Sequence, residues 1–236
     1  MALRLSRTVA WLGLSPDVPP AMKTQFQPLK SVLNLRSGVP SRDLKSAEIL
    51  PYIKSLDALS PDAVAHAQVV APGSLTSGRV RLGATSQVLL PSMLIARHAL
   101  KKGDVVVTAR GDFTAALIDE TAIAEADGAS ILAGPLCHVL SPQDWTKALP
   151  EFLVWLLGTE YAKQHMGAAA RGSATTLYSL EVIGSLPVPL LPPETQTAIA
   201  ASSTAGQELY AARRVMAEAE FESNNNDLCR IAGIIS

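Results

Sequence analysis

The sequence is poor in the residue types that most often build covalent or metal chemistry. Its 236 residues include two cysteines, Cys137 and Cys229, and four histidines, His66, His98, His138 and His165, with no metal-ligand spacing among them. A disulfide framework and a zinc finger are therefore excluded, and a reducing cytoplasm is the expected compartment. Aromatic residues make up 5% of the chain and charged residues 17%, so neither an aromatic stacking platform nor a strongly charged tail defines it. No run approaches the roughly 20 uninterrupted apolar residues of a membrane span. The short apolar stretch at residues 9–14 behind Arg4 and Arg7 imitates a secretory signal. Pro16, Pro19 and Pro20 follow it where a small-residue cleavage site belongs. No membrane partner is expected.

Catalytic signatures are missing too. There is no glycine-rich phosphate loop followed by Lys-Ser/Thr, no Gly-x-Gly-x-x-Gly after a strand, and no Gly-x-Ser-x-Gly elbow. A metal-dependent nuclease wants carboxylates beside a lysine; Asp144 to Lys147 and Glu160 to Lys163 have the wrong spacing for it. A DNA methyltransferase wants a Pro-Pro-aromatic motif and a glycine-rich cofactor loop, and neither occurs. The expectation is a chain without catalytic residues, cofactor or metal, an enzyme with an unrecognised site being the alternative.

What is present is enough apolar text for a sizeable core, 48% of the residues. The net charge of -1 hides an asymmetry: residues 1–102 carry 13 Lys/Arg against 5 Asp/Glu, and residues 103–236 carry 7 against 16. One part suits a polyanion and the other suits different work.

Residues 1–26, closed by the proline cluster, form a leader of no assigned role. Short strands separated by Pro72-Gly73, Ser77-Gly78 and Gly83 fill residues 63–97. Lys101-Lys102-Gly103-Asp104 launches the β-branched run Val105-Val106-Val107-Thr108, and Gly111 ends it. Further strands are expected at 129–132 and 136–140. Pro150 opens a helix to about Met166, with Gly167 as its stop. The segment 180–183 leads into an extended edge at Leu186-Pro187-Val188-Pro189-Leu190. Pro192-Pro193-Glu194 then opens a long helix. In it Ala198, Ser202, Ala205, Leu209, Ala212, Met216 and Ala219 recur at alternating spacings of four and three, a heptad seam of mostly small side chains suited to coiled-coil pairing with another helix. The helix is expected to break at Asn224-Asn225-Asn226.

From Lys101 to Gln196 the order of these motifs resembles the target-recognition domain of type I restriction–modification DNA specificity subunits. The carrying stretches are Lys102-Gly103-Asp104 with its strand ending in Arg110-Gly111, Pro150-Glu151-Phe152-Leu153, Gly172-Ser173 with Leu177, and Leu186 to Leu190 before Pro192-Pro193-Glu194, Gln196 and Ile199. Upstream, residues 32–40 with Tyr52-Ile53 and Leu56-Asp57 resemble the opening of the same domain.

The resemblance implies an α/β fold: a mixed, β-rich globule over residues 27–192, followed by a helical dimerisation or spacer segment over 193–236. It implies a non-catalytic subunit that reads one half of a split double-stranded DNA target and carries methyltransferase and nuclease or translocase subunits to it. Family members usually hold two globules and this chain holds one, so it looks like a half-subunit forming a homodimer through its C-terminal helix. A stand-alone DNA-binding regulator is the alternative. Phosphate and base contacts are expected from Arg79 and Arg81 on one face of a strand, from Arg97, Lys101, Lys102 and Arg110, and from Arg171, Ser173 and Thr175 in a small-residue loop.

Overall fold

The computed structural model describes residues 25–44, 64–76, 78–144, 147–169 and 176–231. Its centre is the valine run. Strand β7 (Val105–Thr108) is buried at all four positions, because β-branched side chains fill both faces of a strand that has a sheet neighbour on each side. It lies in a six-stranded sheet of order β2-β10-β7-β8-β5-β4, made by β2 (Leu33–Ser37), β10 (Cys137–Pro142), β8 (Ala115–Leu117), β5 (Gly78–Val80) and β4 (Leu75–Thr76). Pairing is antiparallel except for β5 against β8.

Val105 and Val107 face one core with Leu140, Phe152, Leu153, Leu156 and Ile183. This core is roofed by helices α3 (Pro150–Gly158), α4 (Glu160–Ala169) and α5 (Leu180–Gly184). Val106 faces the other core, with Val70, Ile118, Ile131 and Val139. That second core is shared with a three-stranded sheet of order β6-β3-β9, from β3 (Val64–Val70), β6 (Ser86–Pro91) and β9 (Ser130–Ala133). Helix α1 (Ser92–His98) covers the outer face of this sheet through Ile95, against Ala67, Leu90 and Leu132. Helix α2 (Glu120–Glu125) is capped by Asp119, whose carboxylate accepts the Ala122 N–H at 2.8 Å. The two sheets meet where a Cβ on Gly38 would lie 2.1 Å from the Gly134 carbonyl oxygen, so only glycine permits the approach.

Expected strands appear at β3, β6, β7, β9 and β10, and the proline-alternating edge is β11 (Pro187–Leu190), paired antiparallel with β1 (Gln25–Pro28). Other expectations are corrected. The helix from Pro150 is two helices, since Thr159 is extended at ψ 157 and its hydroxyl caps α4 through the Ala162 N–H. Gly167 lies inside α4 instead of ending it. Residues 180–183, to which the sequence assigned no element, are helical because the Ser179 hydroxyl accepts the Val182 N–H and nucleates a turn. Helices α1 and α2, too short to show a period, were not expected.

The last helix, α6 (Pro193–Ile231), runs unbroken through Asn224-Asn225-Asn226. Asparagine is a mediocre helix former, not a breaker like proline, and three of them do not interrupt a helix of 39 residues. At 1.5 Å per residue α6 is about 58 Å long. Only its first turns are buried, at Gln196 and Ala200, with Ile199 and Ser203 half-buried against the α3 side. From Thr204 to Glu222 every residue is exposed. Among the described residues no helix is long and apolar enough to cross a membrane.

Candidate nucleic-acid interface

The fold divides the expected basic residues among separate places. Arg97, Lys101 and Lys102 stay together, because the chain leaves α1, pairs Ala99 with Leu132 of β9, and turns into β7. All three side chains are exposed. The turn at 101–104 is built by Gly103 at φ +88 and by the buried carboxylate of Asp104, whose Oδ2 accepts the Lys101 N–H at 2.9 Å. Asp104 Oδ1 accepts the Ser141 hydroxyl at 2.6 Å, and Arg36 of β2 stands 3.8 Å from Oδ2. The Arg36 guanidinium also donates to the carbonyls of His98 and Ala99 at 3.3 and 3.4 Å. The acid of the Lys-Gly-Asp signature is thus a fixture that presents the two lysines, not a ligand-facing group.

Lys102 donates a hydrogen bond to Glu120 in the first turn of α2, and this lysine holds the Glu120 carboxyl below its ordinary value. Among the described residues Lys101 carries no such carboxylate partner. Burial, and after it the charges of Arg36 and Arg97, push the His98 imidazole below its ordinary pKa, so His98 contributes little positive charge at neutral pH.

Arg79 and Arg81 lie one strand beyond β8 from the lysine end of β7, and only the first is in a strand. β5 ends at Val80 and a 3-10 turn follows over Leu82–Ala84, so the two arginines do not share one strand face. A three-residue strand is too short for alternation to be read from sequence. Both are exposed, and Arg79 lies 3.9 Å from Glu208 of α6. Between them and α2 is a groove of about 590 Å³ that also contains Asp119, Thr121 and Glu125.

Arg110 is at the other end of β7 from the lysines. There Thr108 accepts the Thr114 N–H at 3.0 Å and donates to the Asp112 carbonyl at 2.7 Å, and Gly111 takes φ +83, which closes the β7–β8 hairpin. Arg110 bridges to Leu177, and the Tyr178 hydroxyl donates to the Gly111 carbonyl at 2.9 Å. His138 Nε2 lies 2.8 Å from the Tyr178 carbonyl, so the strand end of β10 and the hairpin tip both hold residues 176–178. Arg171, Ser173 and Thr175 lie outside the described residues.

The heptad seam is exposed throughout. Ala198, Ser202, Ala205, Leu209, Ala212, Met216 and Ala219 lie on the side of α6 opposite the stripe of Gln196, Ile199, Ala200 and Ser203 that meets the globule. Leu209 and Met216 are 51% and 63% exposed. Sequence reasoning missed Arg36 and Tyr178, whose side chains donate to carbonyls more than 60 residues away in the chain. Among the described residues no three His, Cys, Asp or Glu side chains converge as metal ligands would.

The fold, an α/β globule with one long projecting helix, is similar to that of solved chains from restriction–modification systems. The chain is similar to one from a structural study of complex assembly and conformational transition of the type I R-M system, with 16% identity over 92% of this chain and 51% of that one and a TM-score of 0.62. It is similar also to the HsdS subunit of Thermoanaerobacter tengcongensis, with 17% identity over 89% and 49% and a TM-score of 0.54. The type IIG restriction endonuclease BpuSI shares the fold more remotely, at 11% identity over 76% and 26% and a TM-score of 0.50. No protein-family model and no curated protein matches the sequence. The chain spans about half the length of the first two solved chains. At these identities the likeness establishes the fold.

Proposed function

We propose that the chain is the DNA-recognition part of a restriction–modification specificity subunit. Its globule, residues 27–192, reads one half of a split double-stranded target and performs no catalysis itself. Residues 193–236 pair with a second copy of the chain in the cytoplasm, and the assembled pair carries methyltransferase and nuclease subunits to the site; of the expected leader 1–26, Gln25 and Phe26 belong instead to the globule, as part of β1. The observation that carries this reading is the match of globule and projecting helix together, over 92% of this chain but only 51% of the solved one, as one half of a two-globule subunit would give. Two features support it further: the exposed group Arg97, Lys101 and Lys102, and the seam left open on the side of α6 away from the globule. Arg79, Arg81, Arg110, Arg171, Ser173 and Thr175 complete the proposed DNA contacts.

Selection from random duplexes with the purified chain is the test. Enrichment of a short asymmetric sequence, bound without a metal or cofactor, supports the reading. Absence of any sequence preference, or cleavage of the duplex by the chain alone, sinks it. Tight binding to a complete operator with no retention of a methyltransferase subunit points to a stand-alone regulator instead.

A further inference from the structure

Gln196 is fully buried in the second turn of α6, at 0% exposure. Its Oε1 accepts the Leu149 backbone N–H at 2.9 Å, and its Nε2 donates to the carbonyls of Lys147 at 3.0 Å and Leu191 at 2.8 Å. Both amide protons and the oxygen are therefore used. The three backbone groups belong to the N-terminal end of α3, the segment before it, and the link from β11. One side chain thus ties the root of the long helix to three parts of the globule.

Among the described residues nothing else at the root has comparable directionality. Ala200 and Ser203 are small, Ile199 is half-buried, and apolar contact lets a helix roll or tilt at little cost because burial has no preferred direction. The Arg79–Glu208 pair is solvent-exposed at 3.9 Å and holds weakly. Hydrogen bonds to fixed backbone atoms do set direction.

We propose that Gln196 is a positioning residue that fixes the direction in which α6 leaves the globule and, through it, the separation of the two half-sites a paired molecule reads. The second clause rests on the function proposed above. The lever is long. A tilt of about 10° at the root of a helix of about 58 Å moves its far end by about 10 Å, roughly three base pairs of duplex.

Gln196→Met keeps the volume and removes all three hydrogen bonds; Gln196→Glu keeps the acceptor toward Leu149 and loses both donors. Spin labels at Met93 on α1 and Val215 on α6, both exposed, in a Cys229→Ser background diluted with unlabelled chain, report the angle without DNA. A narrow distance distribution is expected for the parent and a broadened or displaced one for Gln196→Met. Binding to duplexes whose two half-sites are separated by stepped spacers supplies the second readout. The parent should prefer one spacer, and the variant should lose that preference while half-site affinity stays within about twofold. An unchanged distribution in a folded variant overturns the proposal, and so does collapse of both variants, which would make Gln196 a folding residue. Absence of DNA binding overturns only the functional reading, since the distance measurement stands without it.

Discussion

Asp104 accepts a 2.6 Å hydrogen bond from the hydroxyl of Ser141, and this contact locks the turn before β7 onto the far end of β10. The other carboxylate oxygen takes the Lys101 N–H and faces Arg36. Removing a buried, fully engaged carboxylate leaves a backbone donor, a hydroxyl and a guanidinium without their acceptor. Asp104→Ala should therefore lower stability by ~2–4 kcal/mol in urea denaturation, and Asp104→Asn by less, because an amide oxygen still accepts. A loss below ~1 kcal/mol for Asp104→Ala would show that Arg36 and Ser141 find other partners.

Charge contributes to DNA affinity through counterion release, and the structure ranks the residues. Lys101→Ala and Arg97→Ala should each reduce the salt slope of duplex binding by about one. Lys102→Ala should do less, because Glu120 already neutralises that ammonium, and Glu120→Gln should restore the slope toward its full value. Arg79→Ala is expected to fall between, given the nearby Glu208. Titrations across a range of salt read this ordering directly; slopes unchanged from the parent in the Lys101 and Lys102 variants would remove the turn from the interface.

These placements show how far the sequence was legible. The valine run of β7, the proline edge of β11 and the opening of α6 at Pro193 announce themselves because each rests on local chemistry: branching at Cβ, a locked φ, a missing N–H. The break at Thr159 does not, since the apolar text continues across it and only the hydroxyl cap of α4 marks the boundary. The site was half legible. Lysine and arginine can be counted, yet whether Lys102 is free depends on Glu120, 18 residues away. Gln196 was visible as part of a motif, but its role needs Leu149, 47 residues upstream in the chain, to be brought beside it.

Acid should weaken the contact between β10 and residues 176–178. The Nε2–H of His138 donates to the Tyr178 carbonyl, and Nδ1 is buried without a partner among the described residues. Burial pushes this imidazole below its ordinary value of 6.5, against the opposing pull of the Tyr178 carbonyl, and burial does the same first at His98. For a base kept neutral by the fold, the unfolded chain takes up the proton first. Stability is then full above about 6.5 and declines as pH falls through that value, until the folded rings themselves titrate. Melting temperature should drop between about pH 7 and pH 5, and less so in His138→Gln, which keeps a donor for Tyr178 and cannot titrate. An identical drop in that variant would place the effect elsewhere.

Cys137 should be unreactive in the folded state. Burial pushes its thiol up to about 12, and its Sγ lies 3.7 Å from the Val70 carbonyl within the second core. The thiolate is the nucleophile, so a maleimide at pH 7.5 should leave the Cys137 peptide unmodified for hours and modify it rapidly in urea. Peptide mapping by mass spectrometry distinguishes the two states. Fast modification of Cys137 under native conditions would mean that the core between the two sheets opens locally.

Pairing through α6 makes the most demanding prediction, because it separates association from folding. Leu209 and Met216 lie in the seam and touch nothing that holds the globule, so Leu209→Glu and Met216→Glu should leave the unfolding transition unchanged within ~0.5 kcal/mol. In a pair of helices the same substitutions bury two charges per copy against a partner of like charge, an arrangement that costs several kcal/mol. The double variant should therefore sediment as a monomer at concentrations where the parent is a dimer, and should bind a single half-site with unchanged specificity while losing the gain that two linked half-sites provide. A dimer that persists would move the contact to another stripe of the same helix, where Tyr210 and Phe221 stand 71% and 67% exposed on the side facing the globule. Tyr210→Glu and Phe221→Glu would then be the pair that dissolves it.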